Sequence, residues 1–416
     1  MKNDFWYDTF VTDYSTRAAG RSQKGMLNIG FCSAVCASLF LKVKTTFGTG
    51  HAKEGAGILG SKFSTKQDVL NVTGALRKLK KKRFFCVQVW RSVREYGIIF
   101  MLVNRTQSAA VQQKGFLIRM KVNMKRISKL PDTAPCWCGS GKPYAACHKA
   151  EDDRLEELRR TGHKVPSRKM IKTPEQILGC REAGRINSLV LDAVSANIRE
   201  GMTTQDIDDI VAARTRELGG TAATLGFEGF PASVCTSVNN VVCHGIPNTR
   251  TVLHSGDIVN VDCTTIYNGY FGDASRMYCI GDVAPEARKL VEMTKESIEL
   301  ALKHLTPYCH LGDIGYYVNL HARQNGYHVV REIGGHGVGL AMHEDPYVCH
   351  IGQLHKGLVL APGMIFTIEP MINAGTAAFY EDAHDGWTVY TADGSLSAQW
   401  EYEILMTETG YEILSK

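Results

Sequence analysis

Residues 258–280, IVNVDCTTIYNGYFGDASRMYCI, leave the chain little choice of local fold. β-branched and aromatic residues flank Asn268-Gly269 and read as two strands, and the Asn-Gly pair suits the positive φ angles of a tight hairpin turn. With those two residues as the turn, Asp262 falls opposite Ser275. Asp273, two positions from Ser275, then shares a sheet face with Asp262 as its diagonal neighbour. Two acids this close repel unless cations sit between them. A solvated pair of strand acids fits poorly, because apolar neighbours flank Asp262.

Three further residues have the same character. His336 sits in GGHGVG, where glycines let the backbone approach closely and leave the ring free to bind. A lone histidine is more often structural; the glycine cage and the MHEDP that follows single this one out. Glu369 in FTIEP and Glu401 in QWEY fall in expected strands, where a buried unpaired carboxylate is costly. Metal coordination removes that cost. Four carboxylates and one imidazole are a ligand set for two divalent cations, because carboxylate oxygens bridge and neutralise close charges. The leading expectation is a two-metal hydrolase.

Upstream, PCWCGSGKPYAACHKA holds Cys136, Cys138, Cys147 and His148. Three thiolates and one imidazole complete a tetrahedral zinc shell, with GSGKP as the turn that joins the two pairs. Every position is filled by protein, so this zinc is expected to be structural, and the knuckle should not hold its fold without it. The segment resembles the SEC-C motif, which implies a zinc-stapled adaptor surface for a partner near the translation or export machinery.

Residues 151–172 are charged and read as a short helix followed by an extended linker. From Thr173 the chain is well punctuated. TPEQ offers a capping box for a helix running to about Arg199, TTQD opens a second helix, and Gly219-Gly220 stops it. A third helix starts at Pro285, and a fourth runs from Gly312-Asp313 to Gly326. Strands lie between and after them, with turn signals at Asn268-Gly269, Asp385-Gly386 and Asp393-Gly394. Helices segregated from long antiparallel hairpins indicate an α+β domain, and the helix-helix-sheet order occurs twice.

The net charge of +6 over 416 residues hides an asymmetry. Residues 1–130 carry 24 lysines and arginines against 6 aspartates and glutamates, whereas 131–416 carry 24 against 36. A basic domain suggests nucleic acid or ribosome binding, but 1–119 shows no apolar periodicity and no clear caps. The favoured reading is that much of 1–119 is not a folded domain and precedes the true start, with Met120 and Met124 just ahead of the organised sequence. A basic RNA-binding arm is the weaker reading. The uncharged stretch 25–41 is shorter than a comfortable membrane span of about 20 apolar residues, so no membrane partner is expected. Thirteen cysteines, irregularly spread, suit a reducing cytoplasm and not a disulfide scaffold.

The contexts VCHGIP, VDCT, GDAS, GGHGVG, HEDP, TIEPM, DGWTV and SAQWE together resemble the type I methionine aminopeptidases of the pita-bread metallopeptidase fold, over 173–416. That fold has pseudo-two-fold halves and an antiparallel sheet covered by helices; here a zinc knuckle at 120–150 and the linker 151–172 precede it. The resemblance implies removal of N-terminal methionine from nascent chains when the next residue is small. Asp262, Asp273, His336, Glu369 and Glu401 would hold two divalent ions (Co, Mn, Fe or Zn), with Asp273 and Glu401 bridging. Glu369 would also move the proton of the attacking water. His343 would support the carbonyl oxygen and His244 would contact the scissile amide nitrogen. Phe227, Phe230, Cys235, Met342 and Trp387 would line the methionine pocket, whose rings suit an unbranched thioether. Asn239, Val241 and Ser397 match positions that hold a monovalent cation in the family. A monomer is implied, with ribosome contact through the knuckle.

This chain departs from the family pattern in places. Phe227 and Phe230 stand where Tyr is frequent, Met342 where Phe is common, and Tyr402-Glu403 where His-Thr often follows the last ligand. Two other functions share parts of the pattern. One is an Xaa-Pro peptidase of the same fold; the other is a non-enzymatic, ribosome-associated adaptor.

Overall fold

The computed structural model describes residues 130–416 and, ahead of them, the backbone of five short strands. The chain forms two compact units, 1–125 and 126–416. In the first unit, Cys86–Val89, Ile98–Asn104 and Phe116–Arg119 pair antiparallel in that order. The expectations for the rest of 1–119, including the stretch 25–41 as a whole, lie outside the described residues.

The second unit begins with the knuckle and helix α1 (Lys149–Arg160). Leu155 of α1, with Trp137, Leu158, Val165 and Met170, packs into the same apolar core as Leu290, Ile298, Phe366 and Ile404. The linker lies along this surface through bridges from Lys164 to Leu358 and from Ile171 to Met364.

Helix α2 (Pro174–Asn197) opens with the expected capping box, Thr173 and Gln176 each bonding the other's backbone N–H. It ends two residues before Arg199. Helix α3 (Thr204–Glu217) repeats the device with Thr203 and Asp206, and Gly219 turns the chain away at φ 77°. The hairpin of β2 (Ile258–Tyr267) and β3 (Tyr270–Cys279) follows, with Cys235–Val238 (β1) against β2. Asn268 and Gly269 have φ of 50° and 83°, and the register sets Asp262 opposite Ser275 and Asp273 opposite Thr264. Helix α2 crosses β3 so closely that a Cβ on Gly272 would meet the Ala183 carbonyl at 2.4 Å.

The second half repeats the order. Helices α4 (Pro285–Lys303) and α5 (Leu311–Gln324) lie against the three strands His328–Val329, Met371–Asn373 and Ser397–Gln399 and share one apolar core with a five-stranded antiparallel sheet. Its strands, β4 (Gly335–Gly337), β5 (Glu344–Val348), β6 (Ile365–Ile368), β7 (Tyr402–Met406) and β8 (Tyr411–Ser415), lie in the order β5-β4-β6-β7-β8. Two details depart from the sequence reading. Glu369 falls one residue after β6, and Glu401 lies in an isolated bridge to Ser275 just ahead of β7. Asp393-Gly394 closes no hairpin: it joins Val389–Thr391 to Ser397–Gln399, strands of different sheets.

Candidate active site

The halves meet where Glu401 donates its backbone N–H to the Ser275 carbonyl at 3.2 Å and Asn260 Nδ2 donates to the Gln399 carbonyl at 2.7 Å. Those bonds bring the acids of the hairpin against those of the second sheet. Ligand atoms of Asp273, His336 and Glu401 lie within 4.8 Å of one another. His336 Nε2 is 3.4 Å from Glu369 Oε1 and 3.7 Å from Asp273 Oδ2. The charges of Asp262 and Glu369 are close enough to act on Glu401. All five residues singled out in the sequence therefore gather at one place.

No positively charged side chain bonds to this cluster among the described residues. Burial, reinforced by the neighbouring Glu369, pushes Asp262 up to about 7. Burial likewise raises Glu369 to about 7. Burial, and then the charge of Asp262, drives Asp273 well above the usual carboxylate range; burial, and then the charge of Asp273, does the same to Glu401. Glu401 Oε2 is buried with no hydrogen-bond partner. Four acids packed this way without a cation are strongly unfavourable as anions, and divalent ions at this point would relieve the repulsion. The donor set fits such ions.

Surrounding residues fix the geometry. His336 Nδ1 lies 3.0 Å from the Gly337 carbonyl, which holds the proton on Nδ1 and leaves Nε2 free toward the acids. Thr367 Oγ1 donates to Glu369 Oε1 at 2.7 Å and accepts from the His336 N–H at 3.0 Å. Gln399 Nε2 reaches Asp262 Oδ2 at 3.3 Å and Glu369 Oε2 at 3.5 Å. Buried His350 Nε2 accepts the Glu369 N–H at 3.0 Å. Sequence reading missed Thr367, Gln399 and His350. The first two carried a signal: each precedes a candidate ligand by two positions and so shares its face.

Beside the acids, the ring of His343 meets His336 edge-on at 4.4 Å and Phe227 at 5.2 Å. His244, at φ 56°, sets its ring edge-on to Trp387 at 6.1 Å. Burial depresses both His244 and His343 to about 4, so both are neutral near pH 7. Phe230, Cys235 and Trp387 pack in one apolar cluster with Ala232 and Ile246, and Cys235 pairs with Asp262 across β1 and β2. Met342, next to His343 in the chain, is buried. Of the residues matched to a monovalent site, Asn239 and Ser397 are joined by a Ser397 N–H to Asn239 carbonyl bond of 2.8 Å, and Val241 opens the neighbouring strand Val241–Cys243.

At the knuckle, ligand atoms of Cys136, Cys138, Cys147 and His148 lie within 4.8 Å of one another, with His148 Nδ1 3.2 Å from Cys136 Sγ and 3.1 Å from Cys147 Sγ. Tyr144, fully buried, donates to Asp152 at 2.7 Å, and Arg168 stacks 4.0 Å over Trp137. This cluster is compatible with a metal ion.

Buried acids gathered around one imidazole, beside neutral imidazoles and an apolar pocket, are the makings of a metal-dependent hydrolase. The chain belongs to metallopeptidase family M24, whose family model matches residues 179–408. A SEC-C motif matches residues 133–150. The chain is 46% identical over 236 residues to methionine aminopeptidase A of Synechocystis sp., covering 56% of this chain and 92% of that protein. It is 40% identical over 288 residues to the methionine aminopeptidase of Chlamydia muridarum, covering 68% of this chain and 97% of the relative. The crystal structure of methionine aminopeptidase from Rickettsia prowazekii superposes with a TM-score of 0.58 at 41% identity, over 59% of this chain and 99% of that one.

Proposed function

We propose that this chain removes the N-terminal methionine of nascent proteins when the next residue is small, by water attack on the first peptide bond. The observation that carries this reading is the convergence of four buried carboxylates on one imidazole nitrogen, with no lysine or arginine bonded to them among the described residues. We assign Asp262, Asp273, His336, Glu369 and Glu401 as the residues that would hold two divalent ions; Co, Mn, Fe or Zn would suit the shell. Such ions acidify water and polarise a carbonyl.

The chain's own residues supply the rest. The apolar cluster of Phe230, Cys235 and Trp387, together with Phe227 and Met342, receives the thioether. Glu369 accepts the proton of the attacking water and delivers it to the amide nitrogen as the C–N bond breaks and the C–O bond forms. His343, neutral, donates to the carbonyl oxygen as it gains charge, and His244 contacts the scissile amide nitrogen. Asn239, Val241 and Ser397 are assigned to a monovalent cation.

Further assignments rest on the same reading. Cys136, Cys138, Cys147 and His148 hold a structural zinc, and the knuckle at 120–150 places the catalytic domain 173–416 near emerging chains at the ribosome. The protein works as a monomer in the cytoplasm. Among the described residues, no helix is long and apolar enough to cross a membrane.

Peptide hydrolysis tests the substrate. Release of methionine from Met-Ala-Ser with Xaa-Pro peptides left intact is the expected result; cleavage of Xaa-Pro peptides alone would favour the Xaa-Pro reading, and cleavage of neither would favour the adaptor.

A further inference from the structure

A second group of ligand-type side chains lies apart from both the acids and the knuckle. His310 caps α5, Asp313 is in its first turn, and His355 sits in the turn before Leu358 at φ 60°. Their ligand atoms lie within 4.8 Å of one another. A fourth side chain joins from the arm: His163, three residues beyond α1, places Nδ1 at 2.9 Å from His310 Nε2, with ring centroids 5.0 Å apart.

We propose that His163, His310, Asp313 and His355 form a transition-metal site, zinc being the natural occupant, that fastens the arm leaving the knuckle to the catalytic domain. Three imidazoles and one carboxylate are a favourable zinc shell, and in tetrahedral zinc the ligand atoms stand about 3.3 Å apart given bonds of about 2.0–2.1 Å. Closing onto an ion therefore asks for side-chain adjustment and not for refolding. The backbone already holds the cluster. Asp313 Oδ2 accepts the His310 N–H at 2.9 Å and Oδ1 accepts the His355 N–H at 2.6 Å, so one carboxylate sets the positions of both histidines. Lys356 adds a positive charge near His310. Asp313 is the anion that offsets it.

The position gives the ion its task. Lys164, next to His163, bridges to Leu358, and Ile171 bridges to Met364 just ahead of β6, which leads to Glu369. A metal at His163 would pin the start of that contact.

Zinc content of the full-length protein, purified with zinc chloride and dialysed, tests the site by elemental analysis. The wild type should carry one more zinc per chain than His163→Gln/His355→Gln. Glutamine keeps hydrogen-bonding ability, and neither side chain is in the core, so this variant should fold. Cys136→Ser/Cys138→Ser provides an independent reference for loss of the knuckle ion. Added zinc should raise the melting temperature of the wild type more than that of the His163→Gln/His355→Gln variant, and should slow proteolysis within 160–172 in the wild type alone. Equal zinc content and equal zinc-dependent melting shifts in the two proteins would overturn the proposal.

Discussion

Glu403 accepts the backbone N–H of Asp273 at 3.1 Å, directly behind the acid cluster. It is fully buried and is raised by burial to about 8, with the charge of Lys172 working the other way. Lys172, also buried, pairs with Glu344, whose Oε1 accepts the N–H groups of Leu340 and Ala341 at 2.7 and 3.1 Å. One lysine at the end of the linker thus supports both the loop carrying Met342 and His343 and the residue behind Asp273.

Lys172→Met would remove the cation paired with Glu344 and near Glu403. Breaking a buried pair costs about 3–5 kcal/mol, so the denaturation midpoint should fall clearly. Lys172→Met/Glu403→Thr should recover part of the loss. An unchanged midpoint in the single variant would mean the lysine is not a support.

Thr367→Val removes the bond to Glu369 Oε1 and the acceptor for the His336 N–H. Loss of such supporting groups typically costs about 10–100-fold in metal affinity or activity. Steady-state kinetics under saturating metal should show the loss in kcat with KM nearly unchanged.

Metal binding should be strongly pH-dependent. Asp262 and Glu369, at about 7 when folded without metal, bind protons that the unfolded chain has released by that pH. Their folded values are raised, so the metal-free protein loses stability as pH climbs from about 4 to about 7 and levels off above, as proton linkage requires. Ions that replace those protons should therefore raise the melting temperature more at pH 7.5 than at pH 5.5. Calorimetry in buffers of different ionisation enthalpy should show proton release on Mn binding. Equal melting shifts at the two pH values would contradict this.

Cys136→Ser/Cys138→Ser should unfold the knuckle, detectable as protease sensitivity in 130–150, and should weaken co-sedimentation with ribosomes. Peptide hydrolysis by the isolated protein should persist, since the pocket and acid cluster lie in the other elements.

Much of this architecture was legible in the sequence because it is local. The Asn268-Gly269 turn fixes the hairpin register, and the two-residue period of a strand then places Asp262 and Asp273 on one face. Capping residues marked the helix starts to within a residue or two. Contacts between distant segments were less legible. Nothing near Glu401 signals its bridge to Ser275 in the middle of β3, nor does Asp393-Gly394 reveal that it links different sheets. Lys172 with Glu344 and His163 with His310 are pairings across long stretches of chain, visible once the arm is laid on the domain.

The most direct test of the central claim is the rate of methionine release from Met-Ala-Ser by Glu369→Gln, with fold and bound metal checked alongside. The amide keeps the shape and a coordinating oxygen but cannot accept the water's proton, and removal of a general base costs about 10²–10⁴-fold. A loss of that size with fold intact is predicted. A rate equal to the wild type, with metal still bound, would contradict the mechanism.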